Sequence, residues 1–242
     1  MASENELKEQ LATCARIFAM QGMLGLHGHV SVYQPETKRV LITPGSGSDK
    51  AKLQADQMVV SDLAGKAIDG KGRPPLEWPI HMALHAARPD AIAIAHLHPP
   101  YSTLFAISKR EYQPITVHSS IFGEGVPLYT EPHLIETVER GAKLLEVIGN
   151  KRAAFMRAHG ITVVAENLME LLHATLALEN DALKTLQTDA MGGAKTLSVE
   201  ECRAINKEIK LDNIAQRTWT YYSTLEARWD HQPGTGRVEL FP

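Results

Sequence analysis

The sequence predicts an α/β protein built on a central, mostly antiparallel sheet flanked by helices. Apolar residues recur at helical spacing near the start of the chain, in its middle and over its last third. Between these stretches lie short alternating or continuous apolar runs, broken by Gly and Pro turns, which read as strands. Strands and helices mix without the strict strand–helix–strand rhythm of a parallel sheet.

Each element follows from its residues. Over residues 4–22, Leu7, Leu11, Cys14, Ala15, Ile17 and Phe18 share one helical face, and Gly22 stops the helix. "GLHGHVSVY" starts with Gly25 and Gly28 and then alternates as a strand. "RVLITPGSG" is a second strand that ends in Pro-Gly, and "QPETK" joins the two as a hairpin. "MVVSDLAGKAI" reads as two short strands about a glycine turn. "PPLEWPIHMALHAARPD" is a helix introduced by prolines, with Ile80, Leu84 and Ala87 at helical spacing. In "AIAIAHLHPPYS", Ala91 to Ala95 form a buried strand, ended by Pro99 and Pro100, which cannot donate to a ladder. "YSTLFAISKR" is expected as helix, "YQPITV" as strand and "EPHLIETVERGAKLLEVIGN" as helix. "RAAFMRAHGITVVAENLMELLHATLALENDALKTLQ" reads as strand, turn, strand and long helix. "MGGAKTLS" turns into a helix capped by Ser198. "EECRAINKEIKLDNIAQRTWTYYSTLEARWD" continues helical, and "HQPGTGRVELFP" is a tail. No repeat, low-complexity tract or linker divides the chain, so residues 1–242 are expected to form a single domain.

Composition narrows the function classes. Hydrophobic residues make up 44% and charged residues 22%, the balance of a globular protein with a sizeable core. A net charge of −3 provides no basic footprint for nucleic acid or anionic membrane. Cys14 and Cys202 are the only cysteines, which suits a reducing compartment and no disulfide framework. No window approaches the ~18 apolar residues of a membrane span, and the acidic, amphipathic start is unlike a signal peptide. A cytoplasmic soluble protein is the expectation.

The chemistry concentrates in a few histidines. His96 and His98 are two apart on a strand, so both imidazoles leave the same face at its exit. Such a pair is either two unrelated polar residues or half of a metal site. His159 follows a short apolar strand and precedes Gly160 at a turn. Glu77 sits in the first turn of the helix that feeds the His96 strand, where the dipole favours a carboxylate. Three histidines and a carboxylate form a donor set typical of a catalytic metal centre with exchangeable positions. Zn, Mn, Co and Fe all suit it. His81 and His85, further along the Glu77 helix, are expected to pack or hydrogen-bond. His118 is read as a pocket or strand-end residue, and His133 as a helix-start residue. "TPGSGSDK" lacks the spacing of a Walker loop and is read as a plain turn near the site. "HMALH" lacks the glutamate of a zincin helix.

These segments resemble the class II aldolase/adducin family. "GLHGHVSVY", "LITPGSG", "EWPIHMALHAARPDAIAIAHLHPPYSTLFAIS" and "RAHGITVVAENLMEL" follow in that family's order and spacing, over roughly residues 7–190, with 191–242 as a helical C-terminal extension. The resemblance implies a three-layer α/β/α fold, a four-fold homotetramer with sites near subunit interfaces, and one divalent metal per subunit held by His96, His98 and His159. It implies that Glu77 is the acid/base. Family members complete the pocket with C-terminal residues of a neighbouring subunit, which makes Tyr221 or Tyr222 a candidate for that role.

Two departures bear on the substrate. Sugar-phosphate members carry a Gly-Asn pair in the first glycine loop and a Ser-Ser pair before the carboxylate, both of which cradle phosphate. Here these are Gly28-His29 and Pro75-Leu76. Proline offers no N–H and leucine no hydroxyl. The wording "GHVS" resembles the branch of metal-dependent hydroxyaromatic-acid decarboxylases, in which an anionic ring carboxylate would meet His29, Ser31 and Arg157. Gly45 and Tyr101 complete the expected substrate-binding set. The implied reaction is decarboxylation of a hydroxylated aromatic (di)carboxylate. The alternatives are a class II aldolase or epimerase acting on a sugar phosphate or hydroxy-ketone, and a non-catalytic adducin-like interaction module.

Overall fold

The computed structural model describes residues 3–45, 47–69 and 72–230; the expected tail lies outside them. Helix α1 (Glu4–Met20) starts at a capping box: Glu6 N–H donates to Ser3 Oγ and Ser3 N–H to Glu6 Oε2. It ends before Gly22, whose φ of 70° only glycine adopts cheaply. The hairpin follows as β1 (His29–Gln34) and β2 (Arg39–Ile42), then β3 (Val59–Ser61) and β4 (Ala67–Asp69). Next come α2 (Trp78–Ala87), β5 (Ala93–Leu97) and a short α3 (Thr103–Ile107). The second half runs β6 (Leu128–Tyr129), α4 (Val138–Ile148), β7 (Ala153–Met156), β8 (Gly160–Ala165), α5 (Leu168–Asp189), α6 (Val199–Glu208) and α7 (Leu211–Glu226).

The eight strands form one sheet in the order β4-β3-β2-β1-β5-β8-β7-β6, antiparallel except for the β6–β7 pair. Alternation along the strands splits the core in two. Val30, Val32, Ala93, Ala95, Leu97, Ile161 and Val163 face one side and pack on α1 and α5. Ile94, Ala154, Met156 and Val164 face the other and pack on Ile80 and Leu84 of α2 and Leu144 and Ile148 of α4. This is the expected three-layer α/β/α arrangement. Among the described residues no helix is long and apolar enough to cross a membrane.

Three expectations are corrected. "YQPITV" is not a strand. Pro114 has no N–H to give a ladder, and the buried Asp181 carboxylate of α5 replaces one, accepting from Tyr112 Oη (2.9 Å), Thr116 Oγ1 (2.7 Å), Ser119 Oγ (2.7 Å) and Ile115 N (3.3 Å). The strand in this region is instead β6, in "VPLYT". Second, the helix expected from Glu131 begins only at Val138, with Thr137 Oγ1 accepting from Arg140 N. Residues 131–137 stay unwound because Ile135 N–H is taken by Glu77 Oε1 at 2.8 Å. Third, His133 therefore lies in that unwound segment and not at a helix start.

Candidate metal centre

Strand β5 carries the first ligand candidate. His96 is fully buried, pairs across the ladder with His29 of β1 on one side and Thr162 of β8 on the other, and lies on the α2/α4 face. Its Nδ1 is 3.1 Å from the carbonyl of Ile161. A carbonyl only accepts, so the proton sits on Nδ1 and Nε2 presents a lone pair. His98 stands one residue past the ladder, where the chain turns at Pro99. That turn is clamped by Glu179 of α5, which accepts from Tyr101 N (2.9 Å), Ser102 N (2.8 Å) and Ser102 Oγ (2.7 Å). His159 sits in the tight turn between β7 and β8. Ala158 there adopts φ 56°, and Gly160 is required: a Cβ would lie 2.3 Å from the Leu97 carbonyl oxygen and 2.6 Å from the His98 ring.

Glu77 occupies the N-cap of α2 but does not cap it. Its Oε1 is held by Ile135 N–H, and its Oε2 faces His159 Nε2 at 3.3 Å and His96 Nε2 at 3.5 Å. His98 Nε2 lies 3.2 Å from His96 Nε2. The three rings meet edge to face, with centroids 4.7–5.0 Å apart and planes at 67–81°. A divalent ion with bonds of about 2.0–2.1 Å to N and O spaces its tetrahedral donors about 3.3 Å apart. The observed separations bracket that value. His159 Nε2 is moreover buried with no hydrogen-bond partner, an arrangement that costs free energy unless something electrophilic sits against it. The residues present fit a divalent cation.

Electrostatics agree. Burial lowers the His96 and His98 basicities, His98 to about 3, so both rings are in the neutral, ligating form. Burial works against the Glu77 charge, while the Ile135 N–H on Oε1 favours it, and a divalent cation held by the three histidines would favour it further.

The other expected site residues scatter. His29 is buried beside His96, ring centroids 5.0 Å apart, with Nδ1 bonded to His81 Nε2 at 2.6 Å. Ser31 is fully buried, its hydroxyl held between His81 Nδ1 (2.6 Å) and His85 Nε2 (2.7 Å), so it has nothing to offer a substrate carboxylate. His81 and His85 do hydrogen-bond behind the site. The Gly45 amide donates to the Arg73 carbonyl at 3.0 Å, although Gly45 lines a cavity of about 520 Å³ with Pro44, Ser48, Pro74 and Leu76. Arg157 is exposed in the His159 turn, with Nη1 donating to the Thr130 carbonyl. Tyr101 packs against the larger core. Tyr221 is half exposed on α7 and lines a groove with His118 and Arg217, apart from the histidine cluster of its own chain. His118 opens a short 3-10 turn, His118–Phe122. Two participants were not read from the sequence. Ile135 lends a backbone amide, which no side-chain pattern marks. Lys50 is buried and donates to the Pro44 and Gly45 carbonyls; a lysine in "SDKAK" carries no signal for that.

Comparison with known proteins places this geometry. A sequence model of the class II aldolase and adducin N-terminal domain matches residues 9–185. A 3,4-dihydroxyphthalate decarboxylase of Arthrobacter keyseri is 27% identical over 199 residues, 77% of this chain and 80% of the relative. An L-fuculose phosphate aldolase of Methanococcus vannielii is 28% identical over 179 residues, 73% of this chain and 93% of the relative. Among solved structures, an aldolase II superfamily protein from Pseudomonas syringae superposes with a TM-score of 0.81 at 21% identity, over 96% of both chains. The chain belongs to the class II aldolase/adducin family.

Proposed function

We propose that this protein, a metal-dependent lyase of the class II aldolase superfamily, decarboxylates a hydroxylated aromatic (di)carboxylate. His96, His98 and His159 would hold the ion, with Glu77 alongside. A divalent cation at that point would chelate adjacent hydroxyl and carboxylate oxygens and favour negative charge next to the breaking bond. Glu77, ionised and anchored through Oε1 by the Ile135 amide, takes the hydroxyl proton on Oε2. Glu77 returns the proton to the ring carbon that bears the carboxylate, the ionised hydroxyl supplying the electron pair; the carbon–carbon bond to the carboxylate then breaks, its pair restores the aromatic ring and CO2 leaves.

The observation that carries this reading over a sugar-phosphate reading is the state of the phosphate-side donors. Pro75 and Leu76 stand where hydroxyls would be needed, and Leu76 is 71% exposed. The Gly45 amide is already bonded to Arg73. A dianionic phosphate would lack partners there. The similarity to the Arthrobacter decarboxylase supports the same choice. The aldolase alternative rests on the fuculose phosphate aldolase similarity and uses the same metal half. The exposed apolar side chains of Leu76, Leu134 and Val138, which flank Glu77 and its partner segment, support a homo-oligomer with sites near subunit interfaces.

The test is CO2 release from a panel of hydroxylated aromatic mono- and dicarboxylates by metal-loaded protein, with a chelator-treated control. Metal-dependent CO2 is expected. Its absence across the panel, together with metal-dependent cleavage of a hydroxy-ketone, would transfer the assignment to aldol chemistry.

A further inference from the structure

Behind His29 four polar groups form a line through the interior, and its geometry is directional. At the far end His85 Nδ1 lies 2.5 Å from the Ala91 carbonyl oxygen. The carbonyl only accepts, so His85 carries its proton on Nδ1 and keeps a lone pair on Nε2. Ser31 Oγ, 2.7 Å from that lone pair, donates to it. The hydroxyl has a single hydrogen, so toward His81 Nδ1 at 2.6 Å it accepts, and His81 carries its proton on Nδ1. His81 Nε2 is then an acceptor, and its 2.6 Å contact places a proton on His29 Nδ1. The line ends with His29 protonated on Nδ1 and bare on Nε2.

This direction requires neutral rings, and the surroundings supply them. His81 and His85 are buried, and among the described residues no carboxylate hydrogen-bonds to either, so a charged ring at either position would be an unpaired buried ion. Burial lowers His85 to about 4 and holds His81 well below its ordinary value. The β1–β5 register sets His29 directly opposite His96, and a His29 nitrogen lies within 4.8 Å of donor atoms of both His96 and Glu77.

We propose that Ser31, His81 and His85 are positioning residues that hold His29 as a hydrogen-bond acceptor, and that the substrate carries, beside its chelating oxygens, a further hydroxyl that donates to His29 Nε2. A carboxylate or phosphate oxygen at that point would meet a lone pair, with the Glu77 charge close by. His29 is thus a reader of a hydroxyl and not the anion receptor expected from the sequence. The substrate half of this proposal rests on the chelating reading of the metal centre; the hydrogen-bond line does not.

Two measurements separate these halves. The first is a long-range proton–nitrogen spectrum of zinc-loaded protein labelled with 15N-histidine, assigned with His29→Gln. The expected result is His29 protonated on Nδ1 in the wild type and a mixture of tautomers in Ser31→Ala, a substitution that only removes an oxygen from a buried site. A wild-type His29 protonated on Nε2, or with Nε2 bound directly to the ion, overturns the proposal. The second is calorimetric binding of 2,3-dihydroxybenzoate and its two monomethyl ethers to the same proteins. One ether should bind wild type about tenfold more weakly than the parent acid, a loss that disappears in Ser31→Ala. Ether losses that are identical in wild type and Ser31→Ala overturn the hydroxyl assignment. If none of the three acids binds, the aromatic reading falls with the substrate half, while the nitrogen spectrum still decides the line.

Discussion

Replacing Glu77 by Gln and by Ala separates its two oxygens. Oε1 accepts the Ile135 amide at 2.8 Å, and Oε2 faces His159 and His96 at 3.3 and 3.5 Å. The glutamine amide oxygen can keep the Ile135 bond, so metal-free Glu77→Gln should match wild type in stability to within about 1 kcal/mol. Alanine leaves the Ile135 N–H buried and unpaired. Glu77→Ala should therefore lose about 1–3 kcal/mol, read as a lower denaturation midpoint at unchanged slope. Turnover separates differently. Neither variant can carry a proton on Oε2, so both should lose about 10²–10⁴-fold in kcat at saturating metal. Glu77→Gln with kcat within tenfold of wild type would refute the proton-carrying role. Equal stability of the glutamine and alanine variants would refute the anchoring role of Ile135.

Further expectations follow from single features. Chelation should lower the melting temperature, and adding back divalent ion at about 100 times its Kd should restore about 2.7 kcal/mol, read by thermal denaturation with and without EDTA. Lys50 is buried and its ammonium is pushed down to about 8, so the unfolded chain binds more protons than the native one between pH 8 and the ordinary lysine range. The burial penalty on its charge is present in full below pH 8 and relieved as pH rises toward about 10.4; wild type should gain stability relative to Lys50→Met over that window, and a constant difference would contradict it. Ala158, exposed at φ 56°, is strained, so Ala158→Gly should raise stability by about 1 kcal/mol in urea titration. Asp181→Ala strips Tyr112, Thr116, Ser119 and Ile115 of their common acceptor and should cost about 3 kcal/mol or more.

Much of the site is legible because strand and turn chemistry are local. A period of two puts His96 and His98 on one face, and two prolines end the ladder just after them. The His159-Gly160 pair after a short apolar run marks a turn in the sequence, although the close approach of the Leu97 carbonyl that excludes a side chain at Gly160 is visible only in the fold. Glu77 is marked by its place at a helix start. What was misread involves partners distant in the chain. "YQPITV" has the composition of a strand, but its donors are met by Asp181, about seventy residues on. "EPHLIET" reads as the start of a helix, yet it stays unwound with its Ile135 amide on Glu77.

Periodicity and side-chain type alone mark a mixed α/β architecture and His96, His98, His159 and Glu77 as a candidate donor set; the three-layer arrangement and the departures at Gly28-His29 and Pro75-Leu76 become legible through the resemblance to the class II aldolase/adducin family. Packing between elements settles which polar groups are free to act. Ser31, Gly45 and Tyr101 are the right residue types for a pocket, but their hydroxyl, amide and ring are committed to His81 and His85, to Arg73 and to the larger core. His29 depends on three groups from β1 and α2 for the position of one proton. A hydrogen-bond donor is used up by whichever acceptor the fold brings near, and that neighbour is set by packing between elements rather than by any local run of residues.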